Sequence, residues 1–175
     1  MITKWAQNLY RYDCGLFHSL NCLFERKVLN MLFSRITYFG GATFTIAFCL
    51  FIILFVESPV KMWGFQSGFA LLSSHLVVML IKKIYPRERP YISIKDAFVD
   101  MNPLKDHSFP SGHTTAIFSI ITPFIIHLPI ASLFLYPIGF TVGASRIVLG
   151  LHYPSDVLVG ALIGTVFAIL FVTII

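Results

Sequence analysis

The chain has 175 residues, 57% of them hydrophobic and 12% charged, with a net charge of +5 and a mean hydropathy of +0.80. Soluble domains carry about a quarter charged residues, so this composition excludes an ordinary soluble domain and predicts a single integral membrane domain over 1–175. The basic residues are separated by apolar runs instead of gathering on one face, which argues against nucleic acid as a partner and for anionic headgroups or an anionic substrate.

Cys14, Cys22 and Cys49 show neither disulfide nor zinc-ligand spacing. The first long apolar run begins near Gly40, too late for a cleaved leader, so the anchors are expected to be internal.

In chain order, the first expected element covers 14–38. Leu16, Leu20, Phe24, Val28, Leu32 and Ile36 recur at helical spacing, with Glu25, Arg26, Lys27 and Arg35 among them. This pattern predicts an amphipathic helix lying in the membrane interface, because central charges make insertion costly. The alternative is a sixth membrane helix. Five clear spans are expected at about 40–56, 65–81, 111–126, 129–145 and 157–175. Pro123 and Pro137 fall inside the third and fourth, where proline kinks a lipid-embedded helix. Gly139 and Gly143 should permit close helix packing. A polar stretch at 85–109 reads as a water-exposed loop, and His75, in mid-span beside Ser73 and Ser74, reads as a buried hydrogen-bonded residue. The fold class is therefore all-α, a polytopic transmembrane helix bundle.

Span parity then brings four termini to one membrane face: the ends of spans two and four and the starts of spans three and five. Lys82 and Arg89-Pro90 follow span two. Pro110-Ser111-Gly112-His113 opens span three, Ser145-Arg146 ends span four, and His152 and Asp156 lead into span five. Three cations, two imidazoles and a carboxylate at one face suit a phosphoryl group, whose charge lies on its peripheral oxygens. Arg89 and Arg146 offer planar forks for those oxygens and Lys82 a point charge. Ser111 is a good N-cap, and Gly112 lets the helix N-terminus approach an anion closely. One histidine can attack phosphorus while the other protonates the leaving group. His152 is the better nucleophile, because Asp156 four residues on can hold one ring N–H and leave the other nitrogen free. His113 is then the general acid. Neither a cofactor nor a metal is expected, since no third ligand accompanies His152 and Asp156 and three cations surround them. Arg87 reads as a solvated loop charge or a headgroup contact.

These motifs resemble the type 2 phosphatidic acid phosphatase superfamily, membrane lipid phosphate phosphatases related to vanadium haloperoxidases. Its three signatures correspond to Lys82 with Arg89-Pro90, to Pro110-Ser111-Gly112-His113, and to Ser145-Arg146 with His152 and Asp156. The resemblance covers roughly 65–175. It implies His152 as nucleophile, Asp156 as its partner, His113 as acid, and Lys82, Arg89, Ser111, Gly112 and Arg146 as phosphate ligands. It also implies dephosphorylation of a lipid such as undecaprenyl diphosphate, phosphatidylglycerophosphate or phosphatidate, in a small bacterial plasma-membrane protein. The alternatives are a lipid phosphotransferase and a non-enzymatic transporter or scaffold. Two considerations disagree on orientation. Of the Lys and Arg residues only Lys61 falls on the other face by parity, and the positive-inside rule puts the basic face in the cytoplasm. The resemblance implies an extracytoplasmic site.

Overall fold

The computed structural model describes residues 4–99, 103 and 106–175. Among these, every regular element is helical. The helices are α1 (Lys4–Asn21), α2 (Lys27–Ile36), α3 (Ala42–Phe55), α4 (Val60–Ile84), α5 (Pro90–Ser93), α6 (Gly112–His127), α7 (Ser132–Val148) and α8 (Pro154–Ile174). Short 3₁₀ turns cover Cys22–Glu25, Thr37–Gly40 and Pro129–Ala131.

Helix α6 is the axis of the bundle, with α3, α4, α7 and α8 packed around it. Its residues are buried on all sides from Thr114 to Pro123, including Ile117, Phe118, Ile120 and Ile121. Threonine and serine hydroxyls inside it are satisfied internally: Thr115 Oγ1 donates to Ser111 O at 3.0 Å, and Ser119 Oγ donates to Thr115 O at 2.9 Å. Two polar contacts fix α4 on this axis, Ser67 Oγ to Ile120 O at 3.0 Å and Ser74 Oγ with Ser119 Oγ at 2.9 Å.

Glycines set the closest approaches. A Cβ on Gly164 would lie 2.4 Å from Thr115 O, and one on Gly160 would lie 2.6 Å from Ser111 O. With Ala168 they form a small-residue stripe at every fourth position, which lets α8 rest on the backbone of α6. Gly139 and Gly143 also sit at helix contacts, against Ile121 and Val157.

Helix α4, the segment from Pro129 to Val148, and α8 are each long and apolar enough to cross a membrane. The segments Lys27–Gly40 and Ala42–Phe55 meet at 50° and meet that standard only as a bent pair. The chain is thus an integral membrane protein, with three such helices among the described residues, or four if the bent pair is one span. Of the five expected spans, α3 has 14 residues and α6 has 16. Both are shorter than the roughly 17 residues a span requires. Protein surrounds α6 from Thr114 to Pro123.

The expected helix over 14–38 is two helices. Helix α1 starts earlier and ends at Asn21, and Arg26 is extended at ψ 101° before α2 begins. Residues spaced by four drift about 40° per step around a helix of 3.6 residues per turn, about 200° from Leu16 to Ile36. One straight helix could not keep them on one face. Their orientation is also outward: Leu16, Val28 and Leu32 are exposed, while Asp13, Phe17, Asn21 and Thr37 turn inward. Asn21 Nδ2 donates to both Phe98 O and Val148 O at 2.9 Å, tying α1 to the polar segment and to the end of α7. The segment expected as loop at 85–109 contains only the short α5, and its residues 100–102 and 104–105 lie outside the described set.

Candidate active site

A cleft of about 570 Å³ runs between α3 and α4. Its polar end is lined by Lys82, Arg89, Asp106, Gly112, His113 and His152. Its apolar length is lined by Ile46, Cys49, Leu50 and Ile53 of α3 and by Leu71, Leu72, Val78 and Met79 of α4. Of the termini paired by span parity, the end of α4, the start of α6 and the connection between α7 and α8 meet there. His75 lines the cleft as well and is exposed, contrary to the buried position expected for it. The physical reason is register: His75, Met79 and Lys82 stand at i, i+4 and i+7 and share one face of α4, the face that borders the cleft.

His152 sits in the short connection between α7 and α8. Gly150 makes the turn at φ +76°, and a Cβ there would lie 2.1 Å from Phe98 O, so only glycine fits. The N–H groups of Leu151 and His152 both donate to Arg146 O, at 3.0 and 3.1 Å. The imidazole is 1% exposed. Its Nε2 lies 3.2 Å from Arg89 Nη1. A guanidinium can only donate, so Nε2 accepts and the ring proton belongs on Nδ1. Burial, and then the charges of Arg89, Arg146 and Lys82, hold His152 well below the ordinary imidazole value. It is therefore neutral at pH 7, with a lone pair at the cationic end of the cleft.

Asp156 is fully buried in the first turn of α8. Its Oδ2 accepts from the Tyr153 N–H at 2.8 Å and lies 3.6 Å from His152 Nδ1. That separation is an ion-pair distance and too long for a hydrogen bond, and Nδ1 makes no hydrogen bond among the described residues.

Arg89 is 1% exposed and fully engaged. It donates from Nε to Asp106 O at 2.8 Å, from Nη2 to Asp106 Oδ1 at 2.6 Å, and from Nη1 to Leu151 O at 2.6 Å. Lys82 Nζ donates to Asp106 Oδ2 at 2.5 Å and to His107 O at 2.8 Å. Burial pushes the Asp106 carboxyl upward, but the Lys82 hydrogen bond and the Arg89 and Lys82 charges outweigh it and bring it down to about 2. Lys83, by contrast, is exposed at the helix end, as snorkelling predicts.

Two expected phosphate ligands do not line the cleft. Ser111 is fully buried, and its hydroxyl pairs with Thr114 Oγ1 at 2.9 Å. It serves as the N-cap residue of α6, while Gly112 and His113 face the cleft. A Cβ on Gly112 would meet nothing within 4 Å. Arg146 is 3% exposed, with Nη1 donating to Thr37 Oγ1 at 2.7 Å. Its Nε and Nη2 are buried without a partner among the described residues. Unmet donors on a buried guanidinium are costly, and they are the groups an anion satisfies.

Sequence reasoning missed Asp106, Arg87 and Asp13. Arg87 donates from Nη1 to Asp156 Oδ1 at 2.7 Å and from Nη2 to Asp13 Oδ2 at 2.7 Å. Nothing in the chain spacing marks Asp13, which lies 142 residues from its partner Ser155. The signal for Arg87 was its place two residues before Arg89, in the segment that follows α4.

The class defined by these features is an all-helical integral membrane protein with a cationic, imidazole-bearing site at the head of an apolar cleft. Residues 63–175 match the PAP2 superfamily, and the chain belongs to that family. The fold is similar to that of LpxE from Aquifex aeolicus, with a TM-score of 0.80 and 30% identity over 91% of this chain and 94% of that one. It is also similar to a PAP2-type phosphatidylglycerolphosphate phosphatase from Bacillus subtilis, with a TM-score of 0.77 and 25% identity over 98% of this chain and 87% of that one. A lipid A 1-phosphatase of Rhizobium johnstonii is 30% identical over 106 residues, 58% of this chain, and the match spans 43% of that protein's length.

Proposed function

We propose that the protein is a metal-independent phosphatase of a membrane lipid phosphate or diphosphate, acting through a phosphohistidine on His152. The observation that carries this reading is the continuity of the cleft. Lys82, Arg89, His113 and His152 stand at its head, and apolar side chains of α3 and α4 line the rest. A phosphate headgroup with a hydrocarbon tail matches that division, whereas a water-soluble ester would leave the apolar length unused. Membership of the PAP2 superfamily and likeness to a phosphatidylglycerolphosphate phosphatase support the same class of substrate.

In this mechanism the substrate phosphate replaces the Asp106 carboxylate on Lys82 and Arg89, and the free donors of Arg146, which do not line the cleft before substrate binds, turn to it. The first-turn N–H groups of α6 at Gly112 and His113 lack intrahelical acceptors and add further donors. The His152 Nε2 lone pair attacks phosphorus. The phosphorus–oxygen bond to the lipid breaks, its electron pair goes to the leaving oxygen, and His113 supplies the proton. Asp156 balances the positive charge that forms on the imidazole. Water then attacks the phosphohistidine and gives its proton to His113. The phosphorus–nitrogen bond breaks, the pair returns to Nε2, and inorganic phosphate leaves.

Phosphatidylglycerophosphate, phosphatidate and undecaprenyl diphosphate all fit this chemistry. Phosphate release from each by the purified protein in detergent, with EDTA present, tests the reading. Release that needs an added divalent cation contradicts the metal-independent mechanism, and release only when an alcohol acceptor is supplied favours a phosphotransferase. We read α3 and α6 as membrane-embedded too, which completes five spans, and we place the catalytic face outside the cytoplasm.

A further inference from the structure

The His152–Asp156 pair is held by a second layer of charge that reaches the N-terminal helix. Both Asp156 oxygens are occupied, Oδ1 by Arg87 Nη1 and Oδ2 by the Tyr153 N–H. The Arg87 guanidinium lies 3.8 Å over the Tyr153 ring and also donates to Ser155 Oγ at 2.8 Å. Its other nitrogen pairs with Asp13, which is 5% exposed on α1. Asp13 in turn accepts from the Ser155 N–H at 2.9 Å and from Ser155 Oγ at 2.5 Å. A carboxylate from a distant helix thus caps the first turn of α8, while the guanidinium it orients pins the carboxylate of Asp156.

The geometry points to Arg87 and Asp13 as positioning residues for phosphoryl transfer: they fix the Asp156 carboxylate so that Oδ2 faces His152 Nδ1. With Oδ1 held by Arg87, the carboxylate cannot rotate Oδ2 away without breaking an ion pair of 2.7 Å. The 3.6 Å gap to Nδ1 can then close when the imidazole gains positive charge on attacking phosphorus. Hydrogen bonds of this kind are often long before substrate binds. Arg87 also keeps a fully buried carboxylate compensated while His152 is neutral. The N-terminal helix, which looks like a peripheral membrane anchor, thereby supplies a residue on which turnover depends. Outer-layer partners that orient a reacting group are commonly worth about 10- to 100-fold.

This inference rests on His152 acting as the nucleophile, and the experiment separates the two. The full-length protein and its Arg87→Lys, Asp13→Asn, Asp156→Asn and His152→Ala variants are purified in detergent. Phosphate release from phosphatidate, phosphatidylglycerophosphate and undecaprenyl diphosphate is measured alongside inhibition by orthovanadate, and phosphoenzyme is trapped by alkaline detergent quench. The expected result is that Arg87→Lys lowers kcat and the rate of phosphoenzyme formation about 10- to 100-fold and Asp13→Asn about 10-fold. KM and vanadate inhibition should stay within about twofold, because neither residue touches the phosphate. In an Asp156→Asn background Arg87→Lys should add no further loss, since its effect passes through Asp156. A purely structural role predicts fewer competent molecules with unchanged turnover per trapped phosphoenzyme. Wild-type kcat in both Arg87→Lys and Asp13→Asn, or additive losses with Asp156→Asn, overturns the inference alone. A His152→Ala protein that still turns over, or a wild type inactive on all three lipids, overturns the phosphatase reading and this inference with it.

Discussion

Lys82 Nζ lies 2.5 Å from Asp106 Oδ2, and the same carboxylate reaches Arg89 with its other oxygen at 2.6 Å. An internal anion therefore occupies the donors that the sequence assigns to phosphate. The Asp106 side chain is 54% exposed, so it can leave toward water.

Asp106→Asn should consequently tighten binding of orthovanadate or inorganic phosphate. A partly exposed ion pair is worth up to about 1 kcal/mol, which corresponds to roughly a two- to fivefold gain. Competitive inhibition of phosphate release measures it. Weaker anion binding in this variant would mean that Asp106 organises Lys82 and Arg89 for the substrate and does not compete with it.

The pH dependence follows from His152. Its folded-state value is depressed by burial and by Arg89, Arg146 and Lys82. The free protein therefore keeps the nucleophile neutral well below pH 6.5, and kcat/KM should not decline on its account between pH 7.5 and 6.5. Stability moves the other way. As pH falls below about 6.5 the unfolded chain takes up the His152 proton before the folded protein does, so this contribution is complete above that pH and lost below it. Melting in detergent between pH 7.5 and 5 should show the decline, and His152→Gln should remove its share of the slope. The depressed Asp106 carboxyl acts in a separate window, from its ordinary value of 3.8 down to about 2.

Two glycines should respond differently to alanine. At Gly164 the new Cβ would lie 2.4 Å from Thr115 O, which forces α6 and α8 apart. Overpacking of this kind destabilises by about 1–3 kcal/mol. At Gly112 nothing lies within 4 Å, so Gly112→Ala should melt like the wild type while raising KM by crowding the head of the cleft. Thermal melting and steady-state kinetics of the two variants check this contrast.

Orientation is testable at Ser93, which is exposed at the end of α5. Cys22 is also exposed and must first be replaced, as in Cys22→Ser. In that background Ser93→Cys should react with a membrane-impermeant maleimide added to intact cells. Reaction only after the cells are opened would put the catalytic face in the cytoplasm. Arg87, Arg89 and Arg146 carry little weight in the positive-inside count, because each is committed to the site, and Arg89 and Arg146 are almost wholly buried.

Much of the site was legible because its residues mark the ends of apolar runs. Lys82, Arg89, His113 and His152 were expected together at one face, and these four do share one cleft. Carboxylates proved harder to read. Asp106 and Asp13 carry no spacing signal, and their roles arise from contacts across the fold, such as Asp13 with Arg87 over 74 positions. Ser111 stands at the start of α6 as expected, and its hydroxyl pairs with Thr114. In the N-terminal region the apolar periodicity was real, but in a membrane protein such a face can meet lipid. The inward face was Phe17 together with the sparse polar set of Asp13, Asn21 and Thr37.

The most direct test of the central claim is trapping of a phosphoenzyme by alkaline detergent quench on wild type and His152→Ala, with phosphate release measured in parallel. The account predicts an acid-labile, base-stable phosphohistidine in the wild type, none in the variant, and a fall in phosphate release of roughly 10⁴-fold or more. A phosphoenzyme that persists in His152→Ala, or a variant that releases phosphate at the wild-type rate, would contradict it.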